Sequence, residues 1–258
     1  MKQYKAIADY YDAEYAGLPM LDQDVPFFLS HLPKRRQNVL ELAAGTARAA
    51  IPIAQSGHRV VAVDYAADML AIAEQKRDSV GLTNRELTLL HRDVLKLNLN
   101  EKFDHVCIFF NTFYNFTTLD EQDRFLQVAR RHLKPTGKLW MDIYNPDLEL
   151  LSKKHLQQID PAIFYVPSLD RSVQRDTELV QDHANQVQHV TFHYRWFDAD
   201  AVEQHEQVKF NLTWLMPREL QLLLERNGFQ ITRLYGDYDG SAMTGDSPRI
   251  ISVSRLRR

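Results

Sequence analysis

Three acidic residues stand at comparable places in successive units of the chain. Glu41 lies inside the apolar run Asn38-Val-Leu-Glu-Leu42, Asp64 ends Arg59-Val-Val-Ala-Val-Asp64, and Asp93 follows Leu87-Thr-Leu-Leu-His91. A carboxylate ending a buried strand, 19 positions after a glycine turn, can accept hydrogen bonds from both hydroxyls of a ribose. The turn here is Ala43-Ala44-Gly45-Thr46-Ala47, whose small side chains let a bound molecule approach the backbone. It lacks the Gly-x-Gly-x-x-Gly spacing that brings a pyrophosphate to a helix N-terminus. The pattern therefore predicts a nucleoside site without a pyrophosphate.

The elements needed to position these acids can be read from the hydrophobic pattern. Val39, Leu40 and Leu42 form a short strand apolar enough for a sheet covered on both faces. A helix follows, stopped at Gly57, with Pro52 expected to kink it unless it falls in the first turn. Val60–Val63 rebuild a buried strand. A helix over about 68–77, a strand over 87–91 and an apolar strand from Phe103 ending at Phe110-Asn111 come next. Thr118-Leu-Asp-Glu121 is a capping-box sequence, and Pro135-Thr-Gly137 is expected to stop that helix before a fifth strand, Lys138 to Tyr144. This alternation over 38–145 implies a doubly wound parallel sheet with right-handed crossovers.

The flanking segments differ in character. In the 1–37 leader, Tyr4, Ile7, Ala8 and Tyr11 recur at helical spacing, and a second helix spans Val25 to Leu32. Residues 146–213 contain His189–Trp196 and Gln207–Trp214, both strictly alternating, after a weaker strand near Ser172–Val180. That is an antiparallel sheet with one covered face, inserted as a lid over a substrate or as the contact surface of a homodimer. From 214 to 258 the core type returns: Pro217 opens a helix with Leu220, Leu223 and Leu224 inward, and strands 229–235 and 249–253 make a hairpin. The expected fold class is α/β, a single 1–258 domain with a seven-stranded sheet ending in that antiparallel hairpin.

Composition narrows the classes further. With 258 residues, 45% hydrophobic side chains and a net charge of −3, the chain can bury a large core and lacks the basic excess of a nucleic-acid binder. The lone Cys107, inside an apolar strand, excludes an internal disulfide and reads as core. Neither a signal peptide nor a membrane span is legible, so the expected setting is cytoplasmic, with no membrane and no nucleic-acid partner.

Taken together, the chain resembles the class I S-adenosylmethionine-dependent methyltransferases over nearly its whole length. The family's first motif matches Glu41-Leu-Ala-Ala-Gly-Thr-Ala-Arg48, its strand-two acid Asp64 and its adenine-contacting acid Asp93. Tyr4 to Asp12 is similar to a tyrosine-containing leader found in small-molecule members. The resemblance implies S-adenosylmethionine as cofactor and S-adenosylhomocysteine as product. It also implies roles: Glu41 and the Ala43, Ala44, Gly45 and Thr46 backbone beside the amino-acid end; Asp64 on the ribose; Tyr65 or Met69 flanking ribose or adenine. Asp93 with the Val94 backbone would meet the adenine amino group, the Phe110 and Asn111 carbonyls the ammonium, and Tyr11 would close from the leader. The family usually has glycine at the positions of Ala43 and Ala47. Alanine at 43 is common in the subgroup; the less usual Ala47 keeps a second reading open, a non-catalytic methyltransferase-like binding protein or subunit. A nicotinamide-dependent dehydrogenase stands third, disfavoured by the missing glycines and the hairpin.

The remaining candidates read as structural. Asp142, mid-strand, is expected to be a hydrogen-bonded structural acid. His189 and His193 share a strand face at about 13 Å separation, from about 3.3 Å per residue, too wide for one metal ion, so no metal is expected. Tyr144, Tyr194, Trp196, Tyr235 and Asp237 could line a pocket, with core packing the commoner fate of such strand aromatics. Neither the acceptor, expected to be a small molecule, nor a catalytic base can be read from the sequence.

Overall fold

The computed structural model describes residues 3–257, with the side chains of residues 3–6 excluded, so the reading of Tyr4 lies outside the described residues. The chain begins with α1 (Gln3–Tyr15) and α2 (Asp24–Ser30). It continues through β1 (Asn38–Leu42), α3 (Ala50–Gln55), β2 (Arg59–Asp64), α4 (Ala67–Ser79), β3 (Leu87–His91) and β4 (Phe103–Ile108). Then come α5 (Leu119–His132), β5 (Leu133–Tyr144), α6 (Leu148–Ser152), β6 (His155–Val166) and β7 (Arg171–Asp182). The last elements are β8 (Val187–Phe197), β9 (Glu203–Thr213), α7 (Pro217–Arg226), β10 (Phe229–Tyr235) and β11 (Arg249–Leu256). They group into two units. Residues 1–18 and 146–214 form the smaller; 19–145 and 215–258 form the larger. The leader is thereby divided, α1 packing in the smaller unit and α2 in the larger.

The larger unit is built on a seven-stranded sheet of order β10-β11-β5-β4-β1-β2-β3. β1 pairs in parallel with both β2 and β4, and β11 runs antiparallel to β5 and β10. Val39, Leu40, Leu42, Val60, Ala62 and Val63 are fully buried, which is why these strands read as unbroken apolar runs. The chain moves outward from β1 through β2 to β3, then returns to the other side of β1 with β4. The strand order therefore reverses between the ends of β1 and β4, where open α/β sheets bind ligands. The capping box forms as expected, Thr118 and Glu121 satisfying each other's backbone amides.

Two local expectations resolve differently. Pro52 falls in the first turn of α3, where a helix needs no amide donor, so no kink is required. The break after α5 comes earlier than Pro135-Gly137: helix ends at His132 and β5 already starts at Leu133. Pro135 disfavours helical geometry for Lys134, and Leu133 pairs with Phe103 in the sheet instead. Gly137 is needed there, since a Cβ would lie 2.8 Å from the Leu133 side chain and 3.0 Å from the Phe103 carbonyl oxygen.

The smaller unit is a four-stranded antiparallel sheet, β6-β7-β8-β9, with α1. Val190, Phe192 and Tyr194 of β8 are buried and His189 is exposed, as the alternation requires. β6 is a strand the sequence pattern does not reveal. It is a mostly exposed edge strand with polar runs, Pro161, and left-handed backbone at Gln158 and Asp160 that shifts its register against β7. Edge strands can carry such irregularities because one side needs no partner.

Candidate active site

Reversal of strand order puts the ends of β1, β2, β3 and β4 along one rim of the larger unit. Of the thirteen residues singled out from sequence, all but Tyr11 belong to these strands or the segments that directly follow them. Tyr11 is on α1 in the smaller unit, where its ring packs edge-on against Tyr15 at 4.8 Å.

Asp64 organises the loop after β1. Its Oδ2 accepts from the Gly45 amide at 2.7 Å and its Oδ1 from the Ala66 amide at 2.8 Å, while the Ala44 amide bonds to the Val63 carbonyl at 3.0 Å. Burial pushes the Asp64 carboxyl up, against the opposing effect of the amides of Ala66, Gly45 and Tyr65. The loop alternates in hand: Ala43, Gly45 and Ala47 have φ of +58°, +55° and +58°. This accounts for glycine being usual at the first and last of these positions. A left-handed alanine is strained by about 1–2 kcal/mol. The loop nonetheless forms, with Ala47 fully buried and its carbonyl starting the helical hydrogen bonds at Ile51.

Glu41 is 4% exposed, on β1 directly before this loop. Desolvation pushes its carboxyl up to about 8, with Arg48 pulling the other way and Asp24 and Asp64 adding to the rise. The Ala50 amide donates to the carboxylate, but Oε2 is buried with no hydrogen-bond partner. Such an orphaned acceptor is rare in folded proteins, and a ligand that brings a donor satisfies it. The ammonium of S-adenosylmethionine is such a donor, so the residues fit that cofactor.

The end of β4 is held in an unusual conformation. Phe110 and Asn111 are consecutive left-handed residues, at φ +50° and +62°. Non-glycine residues there cost on the order of 1–3 kcal/mol each and persist only where their surroundings fix them. A buried network does so. The Phe110 amide donates to Asp142 Oδ2 at 3.2 Å and the Asn111 amide to the Asp142 carbonyl at 3.0 Å. Asn111 Oδ1 accepts from the Tyr144 amide at 2.7 Å and from Arg249 at 3.0 Å. Arg249 Nε bonds Asp142 Oδ1 at 2.7 Å, and the Tyr238 hydroxyl bonds Oδ2 at 2.8 Å. Asp142 is thus the hydrogen-bonded structural acid its place in the strand suggested. The Asn111 carbonyl accepts from the Tyr114 amide at 2.9 Å, so its first partner is backbone.

On the outer side of the rim, Asp93 caps the short turn Val94–Lys96 by accepting from the Leu95 amide at 2.9 Å, and pairs with Lys96 at 3.3 Å. Its side chain is 46% exposed, while Val94 is buried. Met69 is buried on α4, and Tyr65 is half-buried with its phenol pushed up to about 12 by burial and then by Asp64. Thr46 accepts from Lys76 at 3.2 Å. Sequence reasoning missed the Arg48–Asp24 ion pair, which lies close enough to Glu41 to act on its carboxyl, and missed Arg249. A charge opening an otherwise apolar strand at Arg249-Ile-Ile was the available signal.

Comparison with known proteins decides between the remaining readings. Residues 39–137, the segment carrying the rim, match the model of the methyltransferase domain family. The chain carries a methyltransferase domain of the S-adenosylmethionine-dependent family. It is 28% identical over 229 residues to the cypemycin N-terminal methyltransferase of a Streptomyces species, covering 89% of this chain and 87% of that one. In fold the methyltransferase is similar to the CcbJ methyltransferase of Streptomyces caelestis, with a TM-score of 0.81, 21% identity, and coverage of 99% and 97%. A second fold match is an amino pentose methyltransferase of Micromonospora echinaspora with S-adenosylmethionine bound, at TM-score 0.71, 18% identity, and coverage of 95% and 96%. Among the described residues of this methyltransferase, no group of three or more His, Cys, Asp or Glu side chains is placed to hold a metal ion, and no helix is long and apolar enough to cross a membrane.

Proposed function

We propose that this methyltransferase moves the methyl group of S-adenosylmethionine to a small-molecule acceptor, and that the accepting atom is an amine nitrogen. When bound, the cofactor supplies a methyl group already activated on a sulfonium, so the protein's share is alignment and exclusion of water. Asp64 takes the ribose hydroxyls with the lone pairs that Gly45 and Ala66 leave over. Glu41 faces the ammonium, and the Ala43–Thr46 backbone borders the amino-acid end. Asp93 and Val94 hold the adenine edge. The Phe110-Asn111 bend, fixed by Asp142 and Arg249, would border the amino-acid end of the cofactor.

The observation that carries this reading is the coincidence of a buried, donor-seeking carboxylate oxygen on Glu41 with the Gly45–Asp64 bond one strand away. An amine acceptor is supported by two relatives, one named for methylating an N-terminus and the other for an amino pentose. It is also the acceptor that asks least of the protein, since an amine needs only to be deprotonated before attack. Calorimetric titration with S-adenosylhomocysteine tests the cofactor site: saturable binding by the parent chain and a loss of about 2–3 kcal/mol in Asp64→Ala are expected. Absence of binding to folded parent protein would overturn the reading. Transfer of a labelled methyl to amine but not hydroxyl compounds tests the acceptor.

A further inference from the structure

Strand β7 of the smaller unit points two arginines to the face shared with α1, and they are treated very differently. Arg175 is 8% exposed and pairs with Glu14 of α1, which also accepts from the Tyr194 hydroxyl at 2.8 Å. Its other terminal nitrogen donates to the Asp160 carbonyl at 2.7 Å. Arg175 has its counter-charge.

Arg171, four residues earlier on the same strand face, has none among the described residues. Its guanidinium lies over the Trp196 ring at 4.3 Å and the Tyr10 ring at 5.9 Å, and donates to the Tyr10 hydroxyl at 3.1 Å. No carboxylate among the described residues comes within ion-pair distance of it; Glu206 and Asp9 act on the Tyr10 phenol, not as partners of the guanidinium. Its Nε, like that of Arg175, is buried and finds no acceptor, so what sets Arg171 apart is the missing carboxylate. A guanidinium stays charged at any pH a folded protein meets, and a buried N–H without an acceptor is costly. The rings engage the face of the guanidinium and the Tyr10 hydroxyl takes one edge donor, which leaves the other edge donors, the groups that match an oxyanion. What the guanidinium lacks, among the described residues, is an anion in contact with it.

We infer that Arg171, fixed between Trp196 and Tyr10, anchors an oxyanion, a carboxylate or a phosphate, borne by a small molecule that binds the smaller unit. Recognition by a fork of donors held on aromatic faces would select ligands by their acid group.

The test uses the full chain labelled with 15N and follows the arginine Nε–H resonances, that of Arg171 being identified by its loss in Arg171→Lys. Benzoate and inorganic phosphate are titrated separately at constant ionic strength, with chloride as the reference. A saturable shift of the Arg171 resonance with benzoate alone assigns a carboxylate, with phosphate alone a phosphate, and with either supports the site. In Arg171→Gln the apparent affinity is expected to fall at least about tenfold. An Arg171 resonance unmoved by both probes, or affinities unchanged in Arg171→Gln, overturns the proposal. Should Arg171→Gln fail to fold, Arg171→Lys, which keeps the charge but not the Nε–H, and the parent titration still decide it. S-adenosylhomocysteine binding is measured on the same sample. If that is absent while the anion saturates, the methyl-transfer reading fails and the anion site stands.

Discussion

The Asp64 carboxylate reaches back across 19 residues to the Gly45 amide, 2.7 Å away, and so ties the end of β2 to the turn that follows β1. Both its oxygens already serve backbone amides, Oδ1 holding Ala66 at 2.8 Å. Asp64→Asn therefore does more than remove a charge. One amide-facing oxygen becomes an NH2 group, which opposes either the Gly45 or the Ala66 donor. We expect a loss of about 2–3 kcal/mol in cofactor affinity and about 1–3 kcal/mol in stability, the cost of leaving a buried donor unpaired. Calorimetry with S-adenosylhomocysteine and denaturant titration measure the two losses. A variant with parental stability and only a modest affinity change would show that the loop does not depend on this bond.

Ala43 and Gly45 both sit in left-handed backbone, at φ +58° and +55°, and so make opposite predictions. Ala43→Gly relieves backbone strain at a half-buried position, and is expected to stabilise by about 0.5–1 kcal/mol. In Gly45→Ala the new Cβ meets nothing within 4 Å, so its cost is conformational alone, about 1–2 kcal/mol. Thermal melts of the two variants should move in opposite directions. Ala47→Gly is a weaker probe, because Ala47 is fully buried and losing its methyl offsets much of the relief.

How much of this was legible in the sequence follows from what kind of signal each part leaves. The parallel core announces itself because β1 and β2 are buried on both faces, and the hairpin because turn residues separate two apolar runs. Asp64 and Gly45 are tied by local strand-turn-helix spacing. β6 left no pattern, since an exposed edge with bulges at Gln158 and Asp160 has no face to keep apolar. The network of Asp142, Arg249, Tyr238 and Asn111 joins segments far apart in the chain, and nothing local in any of them names its partners. Arg171 is likewise silent until α1 brings Tyr10 to it.

On the proposed reading, Glu41 is expected to give cofactor binding a pH dependence. Its folded-state carboxyl is raised from the ordinary 4.5 to about 8, with burial the largest cause, so between these values the folded chain holds a proton that the unfolded chain has released. The sign follows: this group's contribution to stability is greatest below 4.5 and is lost as pH rises towards 8. A cofactor ammonium beside Oε2 favours the ionised form and draws the carboxyl down, so binding releases a proton. Affinity should climb by up to about tenfold per pH unit from pH 6 towards 8 and then level off. Calorimetry in buffers of different ionisation enthalpy counts the proton directly. Glu41→Gln should bind more weakly, release no proton and show a flat profile over that range. A parent chain whose binding heat is independent of buffer would rule out this linkage.

The bend at Phe110-Asn111 depends on Arg249, and the dependence can be separated from simple loss of packing. Arg249 and Asp142 are both buried, with side chains 3% and 5% exposed. Removing one partner of such a pair strands the other's charge, so Arg249→Leu is expected to destabilise by about 3–5 kcal/mol. Asp142→Asn combined with Arg249→Leu removes the stranded charge and should recover a large part of that loss, giving a coupling energy well above the few tenths expected of independent sites. The double variant still lacks the Arg249 bond to Asn111 Oδ1. If that bond helps hold the left-handed pair, the double variant should regain stability without regaining cofactor affinity, and amide exchange should be faster at Asn111 than in the parent. Recovery of both properties together would mean that Asp142 and the Tyr144 amide suffice to hold the bend.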